Sequence, residues 1–187
     1  MSSLEVISHR IEGLATIKHL SVSDDRGRFK RIFCRKTLSA LLGGREVTQI
    51  NHSHTRVEGT VRGMHFQFPP QSEIKVVTCM RGAVWDVAVD LRRGSPTFLQ
   101  YQGVTLSEGD GCSFLVPEGF AHGFQTLAPD SELLYLHTAD FDPDSEGSVN
   151  ATDPMLGIDW PRPISNRSKR DSQVPMLDSD FHGVSLQ

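Results

Sequence analysis

The sequence predicts an all-β fold. Short apolar runs recur along the chain with turn residues between them, several of the runs alternate with period two, and only one stretch reads as a helix. The first run, "GLATIKHLSV", is closed by "DDRG" and followed by "RFKRIFC". "KTLSALLGG" is the helical stretch, short and stopped by its glycines. Then come "VTQINHS", "TVRGMHFQ", "IKVVTCM" and "AVWDVAVDL", each rich in the β-branched and aromatic residues that favour a pleated surface. In the last of these, Val84, Asp86, Ala88 and Asp90 fall on one face and Trp85, Val87, Val89 and Leu91 on the other, so the aspartate face looks into a cavity. "RRGSP", "SEGDG" and "APDS" break the remaining runs "TFLQYQGVTL", "CSFLVP", "GFQTL" and "LLYLHT" with turn chemistry. This density of short strands predicts an antiparallel sandwich or barrel. From Asp153 onward the chain is rich in Pro, Ser and charge, which predicts a peripheral arm on one domain spanning residues 1–187.

Composition removes several classes of function. A net charge of −4 gives no whole-chain attraction to nucleic acid or to an anionic membrane, so any anion has to be bound locally. The N-terminal stretch has no apolar run of signal-peptide or membrane-spanning length, which predicts a soluble cytoplasmic protein. Cys34, Cys79 and Cys112 are odd in number and lack a CxxC spacing, so they read as buried thiols rather than disulfides or zinc ligands.

Gly111 to His122 matches G(X)5PxG(X)2H, the second signature of the cupin barrel, in which a Pro-Gly turn re-aims the next strand so that its histidine points inward. Gly59 and His65 match the start of the first signature, G(X)5HxH, but Gln67 replaces its second histidine and Glu73 falls only near the acidic ligand position. A metal site needs three or four convergent His, Cys or carboxylate ligands. His52 and His54 share a strand face but read as surface or turn histidines. The expectation is a site with neither metal nor other cofactor.

Longer motifs carry a more specific resemblance. "DDRGRF", "QINHS", "GTVRGMHFQFPP", "IKVV", "RGAVWDVAVDLRRGSPTF", "VPEGFAHGF" and "TDPMLGIDWP" occur in this order from about Gly13 to Leu177. With them the chain resembles the dTDP-4-dehydrorhamnose 3,5-epimerase family of nucleotide-sugar enzymes. The resemblance implies a cupin-type jelly-roll barrel with short peripheral helices, assembled as a homodimer whose N-terminal strands help complete the partner's sheet and site. It implies a nucleotide-sugar substrate, dTDP-linked, with a ketone at sugar carbon 4 that acidifies the hydrogens on carbons 3 and 5. A base removes one proton and an acid returns one from the other face.

Carried over residue by residue, the resemblance makes His65 the base; its ordinary pKa of about 6.5 leaves a useful neutral fraction near neutrality. Asp171 in "SKRDSQVP" matches the aspartate that orients that histidine; the alternative is an exposed tail carboxylate. Lys75 matches the active-site lysine, a counter-charge for the enolate oxygen. Arg62 matches an arginine facing the site. Arg26, Gln49 and Asn51 match nucleotide-sugar ligand positions, and Phe29 an aromatic near the nucleotide. His122 lines the substrate pocket in the family; a satisfied structural histidine is the other reading.

Two departures stand out. Arg31 replaces a carboxylate found in many members, which points to changed nucleotide-base contacts. The family's acid is a tyrosine in a segment ending Tyr-x-Pro, and aligning "LYLHTADFDP" on it puts Phe141, which has no proton to give, at that position. Tyr135 matches a different position and reads as structural, and His137 shares strand parity with Phe141 as a substitute acid. Three readings follow: an epimerase, acting at both carbons or one; a keto-isomerase using the same enolate; and a barrel that binds a nucleotide sugar without turnover.

Overall fold

The structure, a computed structural model, describes residues 4–186; the first three residues and the last of the expected domain lie outside the described residues. Along the chain come β1 (Leu4–Ser8), β2 (Ala15–His19), β3 (Ser21–Asp24), β4 (Gly27–Lys30), the single-turn α1 (Arg35–Leu38), β5 (Gln49–Thr55) and β6 (Val61–Gln67). They are followed by β7 (Lys75–Arg81), β8 (Ala83–Asp90), β9 (Tyr101–Ser107), β10 (Cys112–Val116), β11 (Phe120–Thr126), β12 (Ser131–His137), β13 (Glu146–Ser148) and the single-turn α2 (Lys169–Ser172). The chain is thus almost entirely β, as its sequence predicts. The helix predicted over "KTLSALLGG" is shorter than expected: it closes at Leu38 and continues as turns through Gly44.

One sheet has the order β1-β2-β10-β7-β12-β5 and the other β13-β6-β11-β8-β9. Period-two alternation gives each sheet an inner and an outer face. Val77, Cys79, Phe114, Val116 and Leu133 of the first sheet meet Val84, Ala88, Leu106, Phe120 and Phe124 of the second in a shared core. Each such side chain contributes about 1.5–3 kcal/mol when fully buried, which fixes the strand register. On the outer face of the six-stranded sheet, Ile17, Val76, Leu115 and Leu136 pack under Leu38 and Leu42. The outer face of the five-stranded sheet, with Val61, Val87, Val89 and Leu91, is covered by Trp160, Ile164, Leu177 and Phe181 of the C-terminal arm.

That arm is tied down by polar contacts as well. Asn150 donates to the carbonyl of Val174 at 2.6 Å, the Asp153 carboxylate accepts from the backbone of Met155 and Leu177, and Trp160 donates to the carbonyl of Ala151. Asp90 does not look into a cavity as predicted. It accepts from Arg92, Ser95 and Thr97 and so closes the turn after β8. Asp86, its neighbour on the same face, does turn inward.

Strands β6 and β11 approach unusually closely, with a register shift between His122 and Phe124. A Cβ on Gly63, whose φ is +118°, would lie 2.6 Å from the Cα of Gly123; one on Gly123 would lie 2.5 Å from the sulfur of Met64. Glycine at both places lets the strands meet beside His65 and His122, which pair across the ladder.

The hairpin of β3 and β4 stands apart. Its strands pair only with each other among the described residues, and Val22 and Phe29, opposite one another, are each 71% exposed. Among the described residues no helix is long and apolar enough to cross a membrane. Of the three thiols only Cys79 is buried, and burial pushes it up to about 11; Cys34 and Cys112 are half-buried, not buried as expected.

Candidate active site

A cavity of about 490 Å³ opens between the two sheets. His65 and Arg62 of β6 and His122 of β11 line one wall, and Tyr135 and His137 of β12, Asn51 of β5 and Lys75 of β7 line the other. An adjoining cavity of about 310 Å³ shares His65, Lys75 and His137 and adds Gln49, Glu73 and Phe141. A third, of about 560 Å³, lies on the other side of His65 and is lined by Arg62, Arg167, Arg170 and Asp171.

Asp171 reaches His65 because α2 is capped and the arm is pinned. Ser168 accepts from the backbone N–H of Asp171 and starts the turn. The buried carboxylate then accepts from Gly63 N–H at 3.3 Å and lies 2.9 Å from His65 Nε2. That contact puts the imidazole proton on Nε2 and leaves the lone pair on Nδ1. Burial pushes the pKa of His65 down; the Asp171 contact pulls it partly back, and the net shift is downward, which favours the neutral form. Burial raises the Asp171 carboxyl, but hydrogen bonds from His65 and Gly63 outweigh it and hold the group below the usual carboxylate range. Arg170, fixed by Glu146 at 3.0 Å, stands 3.1 Å from the same histidine nitrogen.

Lys75 lies between two groups: its Nζ is 3.1 Å from Glu73 Oε1 and 3.5 Å from the carbonyl of His65. The other oxygen of Glu73 is 2.6 Å from His137 Nδ1. Deeper in, His122 Nε2 is 2.8 Å from Asp86 Oδ1, while Asp86 Oδ2 is buried without a hydrogen-bond partner. Tyr135 stacks beside His137, meets His122 edge to face, and has its hydroxyl 3.1 Å from Ser53 Oγ. Burial pushes the Tyr135 phenol well above its ordinary pKa, so it holds its proton.

Of the residues expected from the sequence, the structure brings together His65, Lys75, Asp171, Arg62, Gln49, Asn51 and His122. Phe141 lies beyond the end of β12 at the mouth, 55% exposed, with its backbone N–H donating to Gln49. Arg26 and Phe29 line none of the three cavities around His65. They project from the separate hairpin, where Arg26 pairs with Asp24 at 2.6 Å. Gln67 donates to the carbonyls of Gln71 and Asp140 and accepts from Asp142 N–H, which ties it to backbone. His52 and His54 are exposed on strand β5, which fits the surface alternative and not the turn, and they pair with Glu132 and Asp130. Among the described residues no group of three His, Cys, Asp or Glu side chains is placed to hold a metal ion.

Sequence reading gave no site role to three groups that line these cavities: it took Tyr135 as structural, weighed Glu73 only as a metal ligand, and passed over Arg170. Tyr135 faces the cavity with His137, since both share the inward parity of β12. Glu73 was visible as the same-face neighbour of Lys75 in "EIK". Arg170 gave no signal beyond its place next to Asp171.

Two sheets enclosing imidazole–carboxylate pairs, a buried ammonium and a protonated phenol define a class: a β-sandwich protein equipped for proton transfer at a small-molecule site. The chain belongs to the dTDP-4-dehydrorhamnose 3,5-epimerase family, whose model matches residues 8–179. It is 39% identical over 175 residues to the dTDP-4-dehydrorhamnose 3,5-epimerase of Salmonella typhimurium, covering 92% of this chain and 95% of that one. It is also similar to the solved dTDP-6-deoxy-D-glucose-3,5-epimerase of Legionella pneumophila in complex with dTDP-4-keto-L-rhamnose. That match has a TM-score of 0.89 and 36% identity, over 97% of this chain and 98% of the other. A 3'-monoepimerase from Streptomyces bikiniensis in complex with dTDP matches with a TM-score of 0.83 and 32% identity, over 90% of this chain and 85% of that one. The solved form is a double mutant in which a histidine is replaced by asparagine and a tyrosine, seventy residues further on, by phenylalanine.

Proposed function

We propose that this protein epimerises a dTDP-linked 4-keto-6-deoxy sugar by removing and returning protons next to the ketone. The observation that carries the reading is the His65–Asp171 pair beside Lys75 in a cavity walled on the other side by Tyr135. Neutral His65 takes a proton from the carbon next to the ketone, and Asp171 stabilises the imidazolium that forms. The electron pair moves into an enolate, whose oxygen is stabilised by Lys75.

Tyr135, rather than Phe141, is the acid in this reading. It keeps its proton, it lies on the wall opposite β6, and its spacing of seventy residues from His65 is that of the histidine and tyrosine replaced together in the Streptomyces bikiniensis enzyme. Phe141 is then an apolar contact at the mouth. His122, held by Asp86, is a donor to the sugar. Arg62, Arg167 and Arg170, around the third cavity, supply the guanidinium groups that a diphosphate calls for.

The same reading makes the chain a one-domain jelly roll that works as a homodimer. Arg26 and Phe29 line none of the three cavities around His65 in their own chain, and the exposed Val22 and Phe29 pair suits burial against a second copy. Gln49 and Asn51 meet the nucleotide sugar from β5, an edge strand that a partner can extend.

The test is turnover of dTDP-4-keto-6-deoxyglucose. The protein is expected to yield epimerised product, His65→Asn to yield none while still binding dTDP, and Tyr135→Phe to lose about 10²–10⁴-fold in product formation. Phe141→Tyr should change the rate little. Full product formation by Tyr135→Phe would remove the tyrosine from the acid role, and full activity in His65→Asn would remove the base.

A further inference from the structure

Tyr135 is the proton donor in the reading above, yet a phenol held above its ordinary pKa gives up its proton reluctantly. Any group that favours the phenolate therefore favours the reaction. We infer that Ser53 is a positioning residue for this acid: its hydroxyl turns the Tyr135 proton toward the sugar and then holds the phenolate left behind. The inference rests on the epimerase reading and on Tyr135 as its acid.

Packing leaves the phenol one degree of freedom. Its ring stacks on His137, with centroids 5.9 Å apart and planes at 24°, and meets His122 edge to face at 6.2 Å. Two imidazoles thus fix the plane of the ring, and only the O–H torsion remains. Conjugation keeps a phenolic O–H in that plane, where it has two directions. Ser53 Oγ, 3.1 Å away, is the single hydrogen-bond partner of the Tyr135 hydroxyl among the described residues. When the serine donates, it occupies one acceptor position of the phenol oxygen and leaves the phenol proton for the cavity.

The fold brings the two hydroxyls together across strands. Tyr135 is on β12 and Ser53 on β5, and the ladder between them pairs Ser53 with Leu133 and Asn51 with Tyr135. Cross-strand partners share a face, so half-buried Ser53 points as Leu133 does, to the core side of the sheet. Both hydroxyl residues line the cavity of about 490 Å³ that His65 lines from β6.

Electrostatics gives the serine its weight. Burial is the main force against a Tyr135 phenolate, and the hydrogen bond from Ser53 is the strongest force in its favour; the Asp86 charge opposes it and the Arg62 charge helps. Before reaction both hydroxyls are neutral and either can donate. As the proton leaves Tyr135 its oxygen can only accept, and the bond from Ser53 becomes charge-assisted. That bond stabilises the transition state more than the bound substrate, so it raises kcat rather than affinity.

The step balances without a further reactant. The Tyr135 O–H bond breaks, its proton forms a C–H bond with the electron pair of the enolate, and the negative charge passes from the enolate to the phenolate. Ser53 keeps its own O–H bond throughout. Solvent returns a proton to the phenolate once product has left.

The experiment gives dTDP-4-keto-6-deoxyglucose in deuterated water to the wild type, Ser53→Ala, Ser53→Thr, Tyr135→Phe and the Ser53→Ala/Tyr135→Phe double variant. NMR reads deuterium entry into the sugar and epimerised product separately. Ser53→Ala is expected to lose about 10–10²-fold in product formation, while deuterium entry, which needs only His65 and solvent, stays near the wild-type rate. The retained entry shows that the variant is folded and loaded. Ser53→Thr keeps a hydroxyl and should recover most of the product formation. In the Tyr135→Phe background the serine change should cost nothing further, because the group it acts through is gone. Unchanged product formation in Ser53→Ala, parallel loss of entry and product, or an equal further loss in the double variant would overturn the inference while leaving the epimerase reading intact. Full product formation by Tyr135→Phe would overturn the acid assignment and the inference with it. A wild-type protein showing neither deuterium entry nor product would overturn the epimerase reading itself.

Discussion

Burial and a carboxylate pull the pKa of His65 in opposite directions, and burial is the stronger. The sign of the consequence follows. A base with a lowered pKa stays neutral to lower pH, so the acid limb of kcat/KM should fall below the ordinary histidine value of about 6.5. Asp171 raises that pKa, so Asp171→Asn should move the limb lower still while reducing the plateau about 10²–10⁴-fold. A limb above that of the wild type would contradict the assigned pair. His65, Lys75 and Asp171 were legible in the sequence because short motifs mark them. The proposed acid was not, because a letter match at Tyr-x-Pro ignores facing. Leu133, Tyr135 and His137 share the inward side of β12, whereas Phe141 follows the strand's end, where alternation no longer applies.

Strands with a buried face announced themselves, as β8 did through two distinct sets of alternate residues. Strands β1 and β13 did not. The first is an exposed edge, and the second is only Glu-Gly-Ser, made into a strand by its pairing with β6. The close meeting of β6 and β11 was likewise invisible until both glycines were seen facing each other. Gly123→Ala should cost about 1–3 kcal/mol, since its Cβ would press on the Met64 sulfur and the Arg62 carbonyl. Urea unfolding with a lower midpoint and an unchanged slope is the expected reading. Because His65 and His122 bracket this bulge, the same variant should also lose turnover; unaltered stability would mean that the strands part easily and that the glycines are not what seats the two histidines.

Across the whole molecule, the site draws on distant parts of the chain. Asp171 arrives from an arm that closes the back of the five-stranded sheet, held there by Asn150 and Asp153 and by the apolar cover of Trp160 and Phe181. The expected peripheral arm therefore brings a carboxylate against His65. Its carboxylate was legible and its packing was not, since irregular segments carry no periodicity. The hairpin of β3 and β4 poses the opposite case, with predicted ligand residues that line none of the cavities around His65. If each site takes its base from one chain and its Arg26 from the other, two dead variants can rescue each other. Arg26→Ala and His65→Asn, each inactive alone, would on random re-pairing form hybrids in half of the dimers, each with one complete and one doubly defective site. Mixing them should restore about a quarter of wild-type activity in a symmetric two-site dimer, and no recovery would mean that every chain is self-sufficient.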